Sequence, residues 1–349
     1  MQNFFKYFKG SVLLSVVGMI AAFYIGHFYT GTIAGGFQAL FLAAVLSVLE
    51  ISLSFDNAVV NAIVLKKMTP VWQHRFLTWG ILIAVFGMRL VFPLVLVGVV
   101  AHINPIDALI LAATKPDEYK EIMLTAHVSI AAYGGAFLMM VALKYFFEEG
   151  KEIHWIHVIE KPISSLGRMQ GVEIGLTLIT LYVFSLYQAD HEKMSFLVSG
   201  VWGLVTYIAV DGIGAFLQSP ETEGAHIDLN KASMGMFLYL EVLDASFSFD
   251  GVVGAFAVTN NLFTIMIGLG VGAMFVRSIT IMLVEKGTLS EYRFLEHGAF
   301  YAIGVLALIM FGGTIVHIPE VFTGLIGAAL IGFSLWSSIR WNVKHPITD

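Results

Sequence analysis

Runs rich in Leu, Ile, Val, Phe and Ala recur along the chain, each about 20 residues long, the length a helix needs to cross the hydrocarbon core of a bilayer. They lie near 11–29, 37–64, 76–101, 123–147, 172–188, 196–217, 233–258, 262–284, 295–313 and 320–339, with short polar stretches between them. The pattern predicts an all-α polytopic membrane protein of about ten transmembrane helices. Two of the runs break the apolar rule from inside. Leu49-Glu50-Ile51-Ser52-Leu53-Ser54-Phe55-Asp56-Asn57-Ala58-Val59-Val60 carries two carboxylates, and Leu243-Asp244-Ala245-Ser246-Phe247-Ser248-Phe249-Asp250-Gly251-Val252-Val253 repeats it with acid, serine, serine, Phe-Asp and a small residue in the same register. Charge at membrane depth costs several kcal/mol unless it is paired, hydrated or ligating an ion, so it marks a site or a pathway.

Charge outside the runs sets their direction. If the ends alternate sides, the segments on the side of the N-terminus hold fourteen basic residues, among them Lys6, Lys66, Lys67, Lys144, Lys231, Lys286, Arg293 and Lys344; the other side holds three, Lys115, Lys120 and Lys193. Positively charged loops stay in the cytoplasm, which places both termini there. The first acidic run then descends toward the cytoplasm and the second rises from it, so the two form inverted repeats. The parallel continues downstream, where Gly80 precedes Arg89 by nine residues and Gly268 precedes Arg277 by nine. This is the logic of secondary transporters, whose site lies near the midplane between the halves. The reading divides the chain into a first repeat over 1–150, a cytoplasmic or interfacial loop over 151–171, and the remaining helices with the second repeat over 172–349.

Composition narrows the chemistry. With 58% hydrophobic and 13% charged residues and a mean hydropathy of +0.82, a soluble domain is excluded. There is no cysteine, so a metal could be held only through oxygen or imidazole. A net charge of −6 without a dense basic patch excludes nucleic acid as a partner. Lys6 and Lys9 before the apolar run from Ser11 imitate a secretory signal, but no small-x-small cleavage site closes a short core, and the segment is expected to stay.

At 100° per residue, Glu50, Ser54, Asn57 and Asn61 share one face, all of it oxygen. Asp244 and Ser248 share a face in the second repeat. Asp56 stands about 120° from Glu50, so a regular helix cannot aim both acids at one ion. Either the helix unwinds near Ser54 or the two faces make separate contacts. Glu50, Asp56, Asp244 and Asp250 against Arg89 and Arg277 leave two negative charges, a balance that suits one divalent cation and repels an oxyanion. Carboxylate, amide and hydroxyl oxygens favour hard ions such as Mn²⁺, Ca²⁺ or Mg²⁺. The candidate cation ligands are therefore Glu50, Ser54, Asp56, Asn57, Asp244, Ser248 and Asp250, with Arg89 and Arg277 as neutralising partners.

The run Glu50 to Asn61, its echo Asp244 to Asp250, the two arginines and the stretch His127-Val128-Ser129-Ile130-Ala131-Ala132-Tyr133-Gly134-Gly135-Ala136-Phe137 resemble the TerC family of bacterial membrane proteins, in its longer branch, within the wider LysE-type superfamily. That family is named for tellurium resistance. The resemblance implies a multi-pass protein of the bacterial inner membrane that exports divalent metal, chiefly manganese. It also implies that Gly251, standing where the first repeat has Asn57, leaves Asn57 alone to supply an amide ligand. The expected partners are the bilayer, a divalent cation carried as substrate with no permanently bound cofactor, and protons as counter-ion; self-association into a homo-oligomer is left open.

Other residues carry weaker signals. Asp211, His127 and Glu241 are candidates for a proton path, Glu241 also for screening an entrance, since it lies three residues before Asp244. His154, His157 and Glu160 recur every three residues and could grip a metal, although an interfacial helix anchored by Trp155 and Lys161 explains them as well. No phosphate-binding loop, nucleophile elbow or His-Glu-x-x-His helix occurs, and no enzyme is expected. The competing function is a membrane scaffold that recruits stress proteins through the charged loop Lys144 to Arg168.

Overall fold

The computed structural model describes residues 2–80, 82–148, 151, 153–167, 169, 171–218, 228–316 and 318–345; side chains of 2–5, Leu77, Gln218, Phe249, Asp250, Ser290, Glu320 and Val321 lie outside the description. Every regular element among the described residues is helical: α1 (Gln2–Thr30), α2 (Ile33–Leu53), α3 (Phe55–Leu65), α4 (Pro70–Arg75), α5 (Phe92–Ala101), α6 (Pro105–Thr114), α7 (Pro116–Thr125), α8 (His127–Phe146), α9 (His157–Leu166), α10 (Val172–Ser185), α11 (Lys193–Gln218), α12 (Leu229–Val258), α13 (Leu262–Glu285), α14 (Thr288–Glu291), α15 (Leu295–Gly313) and α16 (Glu320–Lys344). Between α4 and α5 the chain winds as two π-helical stretches, Phe76–Gly80 and Ile83–Val91.

Each of the ten predicted spans falls on a helix. Eight are long and apolar enough to cross a membrane by themselves; the others are α10, at 14 residues, and α12, a 30-residue helix interrupted by Glu241, Asp244 and Asp250. The span 37–64 is two helices, one of the alternatives open in the sequence. Two details had no counterpart there: the span 76–101 is partly π-helical, and the polar stretch after 101 folds into the short pair α6 and α7 rather than a plain loop. Large apolar side chains point outward from the outer helices, as with Phe28 at 83% exposure, Phe216 at 78% and Leu13 at 66%. A lipid solvent accepts that surface and water would not.

Helix ends gather at two poles. At one, Lys6 bonds Glu285, Thr69 N–H donates to Ser233 Oγ at 2.9 Å, and Phe294 N–H donates to Ser338 Oγ at 2.8 Å. At the other, Lys120 Nζ donates to Asn260 Oδ1 at 3.0 Å and Gln188 Nε2 to Thr314 Oγ1 at 2.5 Å. Most of the loop lysines gather at the first pole, which holds the start of α1 and the end of α16, and α2–α3 and α12 run in opposite directions. Gly31, at φ +66°, makes the turn between α1 and α2. Close packing of that pair depends on Gly26, where a Cβ would stand 2.4 Å from the Gly35 carbonyl oxygen. The most enclosed helices are α8, packed by α11, α12 and α15, and α13, packed by α1, α2, α3 and the second π-helical stretch. The acid-bearing helices meet between these two.

Candidate cation site

The first acidic run does not stay a regular helix. It is interrupted at Ser54 (φ −100°, ψ 18°), between α2 and α3. Glu50, 3% exposed, lies just before the interruption. Its Oε1 accepts from Arg89 Nη2 at 2.5 Å and from Ser54 Oγ at 3.2 Å. The close approach is possible because α13 presents Gly272, where a Cβ would stand 2.5 Å from Glu50 Cβ. Asp56, after the interruption and also buried, does not join this pair. Its Oδ1 accepts the neighbouring Asn57 N–H at 2.8 Å. Both alternatives read from the sequence hold together: the helix is broken, and the two acids still make separate contacts.

The second run places Asp244 across from Asn57. Asn57 Nδ2 donates to Asp244 Oδ1 at 2.6 Å, while Arg277 Nη2 donates to Oδ2 at 3.4 Å and Arg89 Nη1 stands 4.0 Å from Oδ2. One carboxylate from each half and one arginine from each half thus form a single buried cluster. The π-helical windings supply the rest of its walls. A wider turn leaves carbonyls without their ordinary helical partners, and the guanidinium groups take them up: Arg277 donates to Gly80 O at 3.0 Å and to Phe76 O at 3.3 Å, and Arg89 donates to Ala84 O at 2.7 Å. Arg277 also lies over the Phe76 ring, 3.9 Å from its centroid.

Ser47 and Glu241 complete the frame, and the sequence reading missed the first and gave the second a lesser role. Ser47-Val48-Leu49-Glu50 is echoed by Glu241-Val242-Leu243-Asp244. Ser47 Oγ donates to the carbonyl of Gly268, the glycine of the opposite half, at 2.9 Å. Glu241 approaches Gly80, the counterpart glycine, so closely that a Cβ there would stand 2.6 Å from Oε1. The two halves grip each other reciprocally. Extending the repeat three residues upstream of each first acid would have found both positions.

Several oxygens in this frame have nothing to bond. Asn57 Oδ1, Asn61 Oδ1, Ser248 Oγ and both oxygens of Glu241 are buried without a hydrogen-bond partner among the described residues, with Arg277 3.9 Å from Glu241. An unpaired buried acceptor costs about 1–3 kcal/mol, so several in one region point to a ligand. Among the described residues no three His, Asp or Glu side chains converge as a metal cluster; Glu50 and Asp244 face the arginines.

The remaining candidates are dispersed. Asp250 lies on α12, but its side chain is outside the described residues, as is Arg168. Asp211 is at the basic pole, half-exposed and 3.7 Å from Lys144 Nζ. His127 lines a separate cavity of about 600 Å³ at the opposite pole. Glu160 is buried against its own loop, accepting from Trp155 N–H at 3.0 Å and Ile156 N–H at 3.1 Å, with His154 Nδ1 at 3.6 Å and His297 Nε2 at 3.4 Å. His157 packs edge-on to His154.

A family model described as "Protein of unknown function (DUF475)" matches residues 55–345. The match takes in Asp56, Asn57, both arginines and the whole second acidic run, and begins five residues after Glu50. No curated protein and no solved structure matches the chain.

Proposed function

The chain belongs to the DUF475 family, and from that premise we propose that it is a secondary transporter, an exporter of divalent cations with Mn²⁺ favoured and Ca²⁺ as the second choice. The cation crosses through the buried cluster of Glu50, Asn57, Glu241 and Asp244, between cytoplasm and cell exterior, in a bacterial inner membrane with both termini cytoplasmic. The observation that carries the reading is the set of unpartnered buried oxygens beside two carboxylates whose charge is balanced by arginine side chains. Glu50, Glu241 and Asp244 against Arg89 and Arg277 leave one negative charge, and Asp56 adds a second, which a divalent cation would balance. Hydroxyl, amide and carboxylate oxygens suit a hard ion. Manganese is preferred over calcium by the resemblance to the TerC family alone.

In this mechanism the arginines are stand-in cations. In the empty protein Arg89 covers Glu50 and Arg277 covers Asp244; an arriving ion takes Asn57 Oδ1 and a Glu241 oxygen first and then competes for the acids. The competition is feasible because Arg277 keeps the Gly80 and Phe76 carbonyls and Arg89 the Ala84 carbonyl when they let go. Alternating access returns protons in place of the ion, Asp56 being the buried acid without a cationic partner among the described residues.

The test is Mn²⁺ and Ca²⁺ flux in proteoliposomes, with wild type beside Asp56→Asn and Asp244→Asn at matched incorporation. Flux that both substitutions abolish supports an ion pathway through the repeat acids, and flux indifferent to a collapsed pH gradient removes the proton exchange. No flux of either ion above empty liposomes, from folded protein, favours the scaffold role of the charged loop instead.

A further inference from the structure

The two buried arginines and three of the buried acids form a chain of alternating charge. Glu50 Oε1 meets Arg89 Nη2 at 2.5 Å, and Arg89 Nη1 stands 4.0 Å from Asp244 Oδ2. Arg277 Nη2 lies 3.4 Å from that same oxygen and 3.9 Å from Glu241 Oε1. The order is acid, arginine, acid, arginine, acid. It runs from Glu241, about one helical turn toward the basic pole from Asp244 on α12, to Glu50 on the other side of the cluster. All five are buried, Glu241 being the most exposed at 8%. Asp56 stands outside the chain of charge, with no cation in ion-pair reach among the described residues.

Three acids share two arginines, so one acid is left over. Arg89 hydrogen-bonds Glu50 and Arg277 hydrogen-bonds Asp244; the acid left over is Glu241, both of whose oxygens lack a hydrogen-bond partner among the described residues. Each arginine nevertheless has a second acid nearby, at 4.0 Å for Arg89 and 3.9 Å for Arg277, about one ångström beyond hydrogen-bond length. Each also holds carbonyls that belong to neither acid: Arg277 those of Gly80 and Phe76, Arg89 that of Ala84. Gly80 keeps the gap between Arg277 and Glu241 clear, since a Cβ there would stand 2.6 Å from Glu241 Oε1 and 2.7 Å from Arg277 Nη1. A guanidinium can therefore change acids by a shift of about one ångström while it keeps its carbonyls.

We propose that this surplus of one acid is the device that moves the cation: the ion enters at Glu241 and advances by exchanging places first with Arg277 and then with Arg89, so that the acid without an arginine passes from Glu241 to Asp244 and then to Glu50. The inference rests on the transport reading and adds to it the entry acid, the order of the ligands and a use for three acids against two arginines. At each exchange a guanidinium takes the carboxylate that the ion leaves. No acid is stranded, and a stranded buried charge is the costly event. Asn61 belongs to the entry position. Asn57 bonds Asp244 at 2.6 Å and so fixes the register of the antiparallel helices α3 and α12; Asn61 lies one turn from Asn57, and Glu241 one turn from Asp244, both toward the basic pole. The Asn61 Oδ1 is likewise buried and unpartnered.

The test counts acids against arginines in the full chain with Mn²⁺ as the probe, by binding in detergent, followed as loss of the free-ion paramagnetic signal, and by flux in proteoliposomes. Glu241→Gln leaves two acids for two arginines, and should weaken Mn²⁺ binding on the order of a hundredfold and stop flux. Adding Arg277→Met restores the surplus at Asp244, and binding should return to within about tenfold of wild type while flux stays lost with the entry acid. If Glu241 is only a ligand, the added substitution brings no rescue; if Glu241 only packs, Glu241→Gln leaves binding unchanged. Either result overturns the exchange. Should that double variant not fold, Glu50→Gln with Arg89→Met asks the same question, because it keeps one acid over at Glu241: binding within about tenfold of wild type supports the exchange and lost binding overturns it. Wild-type flux that Glu241→Gln does not alter overturns the exchange and leaves the transport reading standing. Wild-type binding without flux, with loss and rescue as expected, keeps the chain of charge as a cation site while the transport reading fails. Neither binding nor flux in wild type overturns both.

Discussion

Replacing Arg89 with methionine removes the cation from a carboxylate that has little else. Glu50 and Arg89 are each 3% exposed at the side chain, with 2.5 Å between Oε1 and Nη2. Without the guanidinium, Glu50 retains the Ser54 hydroxyl at 3.2 Å and no other donor among the described residues. Breaking one partner of a buried pair costs about 3–5 kcal/mol, and a Coulomb estimate over about 4 Å at an effective dielectric of 20 gives roughly 4 kcal/mol. A ceiling applies, because the orphaned acid can take up a proton, which for an ordinary glutamate at pH 7 costs about 4 kcal/mol. Arg89→Met should therefore destabilise the protein by about 3–4 kcal/mol. The double substitution Glu50→Gln with Arg89→Met removes both charges, and its stability should return to within about 1 kcal/mol of wild type. Reversible unfolding in mixed micelles gives the four corners of the cycle, and flux on the same samples gives the second axis. If the pair only holds two helices together, the double variant recovers flux with stability. If Glu50 is a cation ligand, stability returns and flux does not. A loss below about 1 kcal/mol for Arg89→Met would refute the reasoning at its base, since a buried pair of this geometry cannot be broken so cheaply.

Three further substitutions probe separate parts of the frame. Gly272→Ala places a methyl 2.5 Å from Glu50 Cβ and 2.9 Å from the Ser47 carbonyl, forcing α2 from α13; a loss of about 1–3 kcal/mol is expected in the same unfolding assay, whereas Gly327→Ala, which meets nothing within 4 Å, serves as the control. Gly251→Ala sets its methyl 3.3 Å from Glu50 Oε2, the oxygen that Arg89 does not hold; Mn²⁺ flux should fall severalfold with little change in stability, and equal flux would mean the ion does not approach from that side. Lys151, over the Tyr145 ring, has its pKa lowered by burial from 10.5 to about 8. The unfolded chain then binds the extra proton between about pH 8 and 10.5, so this group makes stability rise with pH across that window. Lys151→Met should flatten the rise, which parallel unfolding at pH 7.5 and 10 would show.

What the sequence disclosed and what it hid have different physical origins. Span positions follow from transfer free energy summed over some twenty side chains, so individual errors average out and each predicted span falls on a helix. Glu50, Asp56, Arg89, Asp244 and Arg277 stood out for the same reason, because charge in such a run is too costly to be incidental. The break at Ser54 was legible as a need, since one helix cannot aim Glu50 and Asp56 together, but no glycine or proline marks the spot. The π-helical winding had no signal at all: Phe76 to Val91 reads as an ordinary apolar helix, and its turns widen where Arg277 and Arg89 take up the freed carbonyls, a tertiary cause no local pattern contains. Ser47 escaped because a serine in an apolar run is cheap, and only its place opposite Glu241 in the repeat reveals that it holds Gly268 as Glu241 approaches Gly80. That exchange is also where the halves cease to be equivalent. A hydroxyl shared between the Ala43 and Gly268 carbonyls locks its side of the frame, whereas a carboxylate with two unpartnered oxygens keeps the other side incomplete, and an incomplete, negatively charged side is the one a cation can enter.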